Sequence, residues 1–320
     1  MSTNLWHNEF KNDWMWAFPL GNGRVGAMLY GNPDCEQIEI NEESLWTGKQ
    51  IQEKYHASPE ALHEIRTLIF EEKLDEAAAL ARKTFLSDPP VVRSYESFGE
   101  LFIDFLDKSP YTDYRKKLEL SEAIARVYWK KSGISYKSEA FVSPDYDSLV
   151  YKVTTDNKIF SCKISYVRKQ DAYSGCIDNG TIIMNGRTTF ATDAHHGEGG
   201  EGMSFGAKIR IDTDGELSCE HSSITVANAT YVTVYGAFAT NYNIDKFDID
   251  ENIDYRKKLN EDIEKVSKAN YDDVKAQHIA THKKWFDGVK FELKSPDYSD
   301  ISCDERMDDL YEGKYDPDFY

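Results

Sequence analysis

The sequence predicts a mainly β protein built on a large antiparallel sandwich, and three observations predict it. From about Phe98 to Thr240 short strand-like stretches follow one another, among them LFIDFL, ARVYWKK, SLVYKVTT, FSCKISYVR and TYVTVYGAFAT. Turn residues such as Asp178-Asn179-Gly180, Asn185-Gly186 and Asp214-Gly215 separate them, and no helical period intervenes, which argues against a parallel α/β sheet. The 20 Tyr and 16 Phe suit pleated, half-buried surfaces.

Taken in order, residues 1–50 read as strands and tight turns punctuated by Gly21, Gly23, Gly26 and Gly31, with Cys35–Ile40 alternating as a short strand. Ser58-Pro59 is a helix opening, a hydroxyl cap followed by proline at the first helical position. Leu62, Ile65 and Ile69, then Ala77, Ala78 and Ala81, predict two short helices over about 59–86, or one broken near Glu72–Leu74. Near Asp250 the period changes again. Tyr255, Leu259, Ile263 and Val266 fall on one helix face, and Tyr271, Val274, His278, His282 and Trp285 on another after a break at Asn270. VKFELK (289–294) reads as a short strand. Residues 295–320 carry nine acidic residues against Arg306 and Lys314, with too few apolar ones for a core of their own.

A chain of 320 residues can hold one large or two ordinary domains. Its net charge of −18 repels phosphate backbones and anionic headgroups, so nucleic acid and membrane surfaces are poor partners, while a neutral sugar is compatible. The five cysteines are odd in number and form no CxxC pair, which predicts reduced thiols in a cytoplasmic protein. The opening MSTNLWHNEFKNDWMWAF lacks a signal-peptide pattern, and no run has membrane-spanning length.

Candidate chemistry is sparse. GNGRVG (21–26) fits a dinucleotide-loop pattern, but the next residues, AMLYG, read as a strand, so turn glycines are expected and no cofactor. His278 and His282 stand four apart without the adjacent glutamate of a zincin site, and packing is expected rather than a metal. His195-His196 has no evident third ligand and reads as a solvated loop. The stretch IEINEESLWTGKQ (38–50) is the most loaded. Asn41, Glu42, Glu43 and Trp46 gather amide, carboxylates and indole, as sugar stacking and hydrogen bonding require; an ordinary turn with a buried Trp is the other reading.

PLGNGRVGAMLYG followed directly by EQIEINEESLWTGK resembles the N-terminal domain of family 95 glycoside hydrolases, the α-L-fucosidase and α-L-galactosidase family. FGELFIDF (98–105), YRKKLELSEAIARVYW (114–129), YKSEAFVSPDYDSLVYKV (136–153), GMSFGAKIRI (202–211), the connector at 255–286 and SCDERMDDLYEGKYDPDF (302–319) follow the family order. The resemblance implies a β-supersandwich over 1–248, a helical linker over 249–288, and at 289–320 the start of an (α/α)6 catalytic barrel that is otherwise absent. No catalytic residue is carried over. Asn41, Glu42 and Trp46 become candidates for the rim of the sugar pocket, with Asn22 and Arg24 bracing that loop; the alternative is a mere docking surface. Implied partners are the domain's own barrel and a fucosylated or galactosylated glycan. Two functions stay open: the non-catalytic front of an α-L-fucosidase-like hydrolase, which the barrel-entry tail favours, or a free-standing carbohydrate-binding or assembly module. The amphipathic connector further predicts self-association, with residues after about Ser295 mobile unless a neighbouring chain orders them.

Overall fold

The computed structural model describes residues 4–48, 56–156, 158–193, 195–290, 298–317 and 319. The strands begin with β1 (Asn4–His7), β2 (Phe18–Gly21), β3 (Val25–Leu29) and β4 (Cys35–Glu42). Helices α1 (Pro59–Phe70) and α2 (Leu74–Phe85) precede β5 (Gly99–Phe105), β6 (Tyr111–Glu119), β7 (Ile124–Lys131), β8 (Ile134–Ser143) and β9 (Ser148–Thr155). Then come β10 (Phe160–Val167), β11 (Ala172–Asp178), β12 (Thr181–Phe190), β13 (Gly200–Thr213), β14 (Glu216–Glu220), β15 (Ser223–Ala229) and β16 (Tyr231–Thr240). A small hairpin, β17 (Tyr242–Asn243) with β18 (Asp248–Ile249), leads to α3 (Tyr255–Lys268), α4 (Tyr271–Phe286) and α5 (Cys303–Tyr311).

These strands form a nine-stranded sheet, in the order β1-β6-β7-β8-β9-β16-β13-β12-β11, and a seven-stranded sheet, β14-β15-β10-β5-β4-β3-β2. The protein is mainly β, an antiparallel sandwich as the alternating stretches predict. Strand parity sets what faces inward. In β5, Gly99, Leu101, Ile103 and Phe105 are buried and their neighbours are not; in β4 the buried positions are Glu36, Ile38, Ile40 and Glu42. Two glutamates therefore share the core-facing side of one strand.

The main core lies between the sheets, where Phe98 meets Phe205 and Phe238 edge to face. A second core lies outside the nine-stranded sheet. There Ile124, Phe141, Val150, Tyr235 and Ala237 pack on Tyr255, Leu259 and Ile263 of α3 and Val274 of α4. Strands β9 and β16 are thus covered on both faces, which is why their sequences run nearly continuously apolar. Each large side chain buried there stabilises the docking by about 1.5–3 kcal/mol.

Ser58 caps α1 through its hydroxyl on the Ala61 amide at 3.1 Å, and Glu72, at φ 60°, turns the chain into α2. Of that helix pair only Ile65 and Ala77 are buried, and Phe70 is 87% exposed. His278 packs against the Phe141 ring at 4.6 Å with its Nε2 on the Glu122 carbonyl, a core position as the sequence suggests. Trp285, placed by spacing on the same stripe, is instead 82% exposed, because the α4 stripe runs off the sheet beyond His282.

The acidic tail has local order of its own. Ser302 and Glu305 form a capping box that starts α5, Arg306 makes a buried two-pronged ion pair with Asp316, and His7 of β1 bonds Asp304 at 2.5 Å. The Trp6 indole donates to the Ser299 carbonyl at 3.1 Å. Within residues 298–317 the capping box and the Arg306–Asp316 pair order the segment, and Asp304 and Ser299 dock it on the outermost strand through His7 and Trp6. The strand expected at 289–294 lies outside the described residues from 291 on. Among the described residues no helix is long and apolar enough to cross a membrane.

Candidate functional site

The turn between β2 and β3 is organised by one side chain. Asn22 Oδ1 accepts from the backbone amides of Arg24 at 3.0 Å and Val25 at 2.8 Å, a local bond that substitutes for backbone pairing. Gly23 sits at φ +96°, which only glycine adopts without strain. Gly23 is therefore the turn glycine that lets Arg24 reach across the sandwich, while Gly21 and Gly26 pair with each other at the ends of β2 and β3. The Asn22 amide donates to Asp147 Oδ1 at 2.9 Å and holds the β8–β9 turn alongside.

Arg24 uses its whole fork. Nε donates to both carboxylate oxygens of Asp147 at 2.9 and 2.7 Å, Nη1 to Glu42 Oε1 at 2.9 Å, and Nη2 to the Phe238 carbonyl at 2.9 Å. One guanidinium so ties β3 and β4 of one sheet to β16 and the β8–β9 turn of the other. Lys258 of α3 adds a second cation to Asp147 at 2.9 Å. Burial would raise the Asp147 carboxyl, but Arg24 and Lys258 outweigh it and hold it below the usual range. At Glu42 burial wins: its carboxyl is pushed up despite the bonds from Ser44 and the charge of Arg24. Arg24 itself stays charged against burial through Asp147 first and Glu42 second.

Glu42 ends β4 and fixes the loop after it. Its Oε2 accepts from the Ser44 amide at 3.0 Å and hydroxyl at 2.7 Å, and Ser44 Oγ meets Thr240 Oγ1 at 2.6 Å. Leu45 is buried beneath, which turns Trp46 outward. The Trp46 indole donates to the Glu43 carbonyl at 3.1 Å and stands edge to face with Tyr95 at 5.2 Å. Tyr95 hydroxyl in turn donates to the Glu42 carbonyl at 3.1 Å. Each ring of the pair is 43% exposed.

A cavity of about 620 Å³ opens beside this loop, with Arg24, Glu42, Trp46, Arg93, Phe247 and Lys258 among its lining residues. Its floor is charged and its mouth aromatic, the mixture that suits a sugar's hydroxyls and its apolar ring face. Of the carboxyl groups on its lining, Glu42 is bonded by Arg24, and Glu43 and Asp248 stand beside it.

Of the residues singled out in the sequence, Arg24, Glu42 and Trp46 line the cavity and Asn22 stands behind Arg24. Asn41 does not line it: it faces away from Glu42 by strand parity and pairs with Gly26. Sequence reasoning missed Tyr95, Asp147, Thr240 and Lys258, which reach the site through tertiary contacts. No local pattern marks them, apart from the turn signal PDYD around Asp147.

The family described as "Glycosyl hydrolase family 65, N-terminal domain" matches residues 5–245. The chain belongs to that family. The opening motifs resemble family 95, so the number differs, but both are glycoside hydrolase N-terminal domains. This family 65-type domain is 28% identical over 303 residues to "Alpha-L-fucosidase 2" of Arabidopsis thaliana, across 88% of the chain and 35% of that protein. It is 25% identical over 302 residues to "Probable alpha-fucosidase A" of Aspergillus niger (strain ATCC MYA-4892 / CBS 513.88 / FGSC A1513), across 88% of the chain and 36% of that protein. The chain thus spans about a third of the length of these curated relatives, 35% and 36%. Among solved structures, a "Putative kojibiose phosphorylase from human microbiome" aligns with TM-score 0.48 at 11% identity, over 88% of the chain and 38% of that structure.

Proposed function

We propose that this domain is the non-catalytic front part of an α-fucosidase-like glycoside hydrolase, and that it packs on a catalytic barrel and lends the 42–48 loop to the rim of the sugar pocket. The observation that carries this reading is the 42–48 loop, fastened at its base by Arg24 and Ser44 on Glu42 and presenting the half-exposed Trp46–Tyr95 pair beside the cleft. The names of the relatives supply the sugar class, an α-fucoside. Exposed apolar side chains around the cleft and connector, Ile244, Phe247 and Val289 among them, are suited to cover by a second domain. Purified chain should show no turnover of aryl α-L-fucosides or α-L-galactosides. Turnover that disappears in Glu42→Gln would overturn the non-catalytic assignment.

A free-standing sugar-binding module is the second reading, favoured by the exposed Trp46–Tyr95 pair. It requires that the chain alone bind L-fucose or a fucosylated glycan, with binding lost in Trp46→Ala. Calorimetry on the two proteins separates the readings, since a rim that needs its barrel gives no heat of binding by itself.

A further inference from the structure

Both sheets of the sandwich end near one another. β11 is the outermost strand of the nine-stranded sheet and β14 the outermost strand of the seven-stranded sheet. Cys176 lies on β11 at a bulge, where pairing with β12 shifts between Cys176 and Asp178. Its amide donates to the His221 carbonyl at 3.0 Å and its thiol to the Ser223 carbonyl at 3.3 Å, both on the β14–β15 hairpin. Cys219 is on β14, two residues before His221 and opposite Ile224, so it stands on the same hairpin, next to the residues that receive both bonds of Cys176. Cys219 is exposed and Cys176 half-buried, so a small reagent reaches the pair.

We propose that Cys176 and Cys219 form a thiol modification site, at which a low-molecular-weight disulfide such as oxidised glutathione installs a covalent link between the two sheet edges. The other three cysteines offer no such partner: Cys162 is buried in the main core, Cys35 is at the start of β4 and Cys303 on α5. Cys219 is the exposed member of the pair and so meets the reagent first, and burial pushes the Cys176 thiol up to about 12. Cys219 loses its proton and attacks one glutathione sulfur; the disulfide breaks, a mixed disulfide forms, and the departing thiolate takes up a proton. Cys176 then gives its proton to water and attacks the Cys219 sulfur, expelling the second glutathione thiolate, which is protonated in turn. Two protein thiols are oxidised, one glutathione disulfide is reduced to two thiols, and no proton is gained or lost overall.

The test treats the purified chain with oxidised glutathione and counts thiols after unfolding. The count should fall from five to three, a Cys176–Cys219 peptide should appear in the digest, and the Tm should rise by about 5–10 °C because the link closes a long loop. Cys176→Ser should stall at a persistent glutathione adduct on Cys219, and Cys219→Ser should form no internal link. A bridge between any other cysteines, a count that stays at five, or unchanged bridge formation in Cys219→Ser would each overturn the assignment. The digest of the unmutated chain decides even if a variant fails to fold.

Discussion

Arg24 carries more of the cleft than any other side chain, because its one guanidinium bonds both Glu42 and Asp147 and only Asp147 has a second cation, Lys258. Arg24→Met keeps the length of the stem but leaves Glu42, whose side chain is 4% exposed, without its counter-ion. Urea unfolding should show a loss of roughly 3 kcal/mol, the range for breaking a buried pair from one side. Adding Glu42→Gln should restore part of it, since the orphaned charge is then gone. A loss under about 1 kcal/mol would mean that the pair behaves as an exposed one. The sequence offers Asn22, Arg24 and Glu42 by motif, and strand parity in Glu36–Glu42 already turns Glu42 inward while Asn41 faces the other way. It cannot offer Asp147 or Thr240, whose places follow from how sixteen strands are ordered across two sheets.

Among the elements, α4 shows how a polar group can fasten a helix to a sheet. Glu139 on β8 accepts from Arg126 of β7 at 2.7 Å, and from Lys275 at 2.7 Å and Tyr271 at 3.0 Å on α4. Burial would raise its carboxyl, but the bonds from Lys275 and Arg126 and the charge of Lys137 prevail and hold it at about 2. The unfolded chain has this group near 4.3. A folded value below the unfolded one means that the ionised form stabilises the fold above about pH 4.3, and that the contribution fades as pH falls towards about 2. Its size is roughly 3 kcal/mol. Glu139→Gln should therefore be less stable at pH 7 and approach the parent at pH 2.5; parallel stability curves across that interval would remove Glu139 as the cause. Helices with a clean apolar period, α3 above all, are legible from spacing alone. α5 is harder to see because its docking is polar, yet Ser302-x-x-Glu305 is a capping-box signature that the run of carboxylates obscures.

For the molecule as a whole, net charge and uncovered apolar surface oppose one another. Phe70, Trp285 and Val289 are 87%, 82% and 80% exposed, while the chain carries −18. Like charges act over about 30 Å at ~0.01 M salt and about 8 Å at physiological strength. Sedimentation at low and high salt should accordingly show mass rising with salt, and Trp285→Glu should suppress the rise. A chain that stays monomeric at high salt and high concentration would show that these side chains are too scattered to join two copies. One contact bears on the life of the chain before it is folded. The bond between His7 and Asp304 spans 297 residues, so β1 and the last helix meet only after nearly everything between them has been synthesised. β1 can pair with β6 once residues 111–119 are made, but its contact with Asp304 waits for α5.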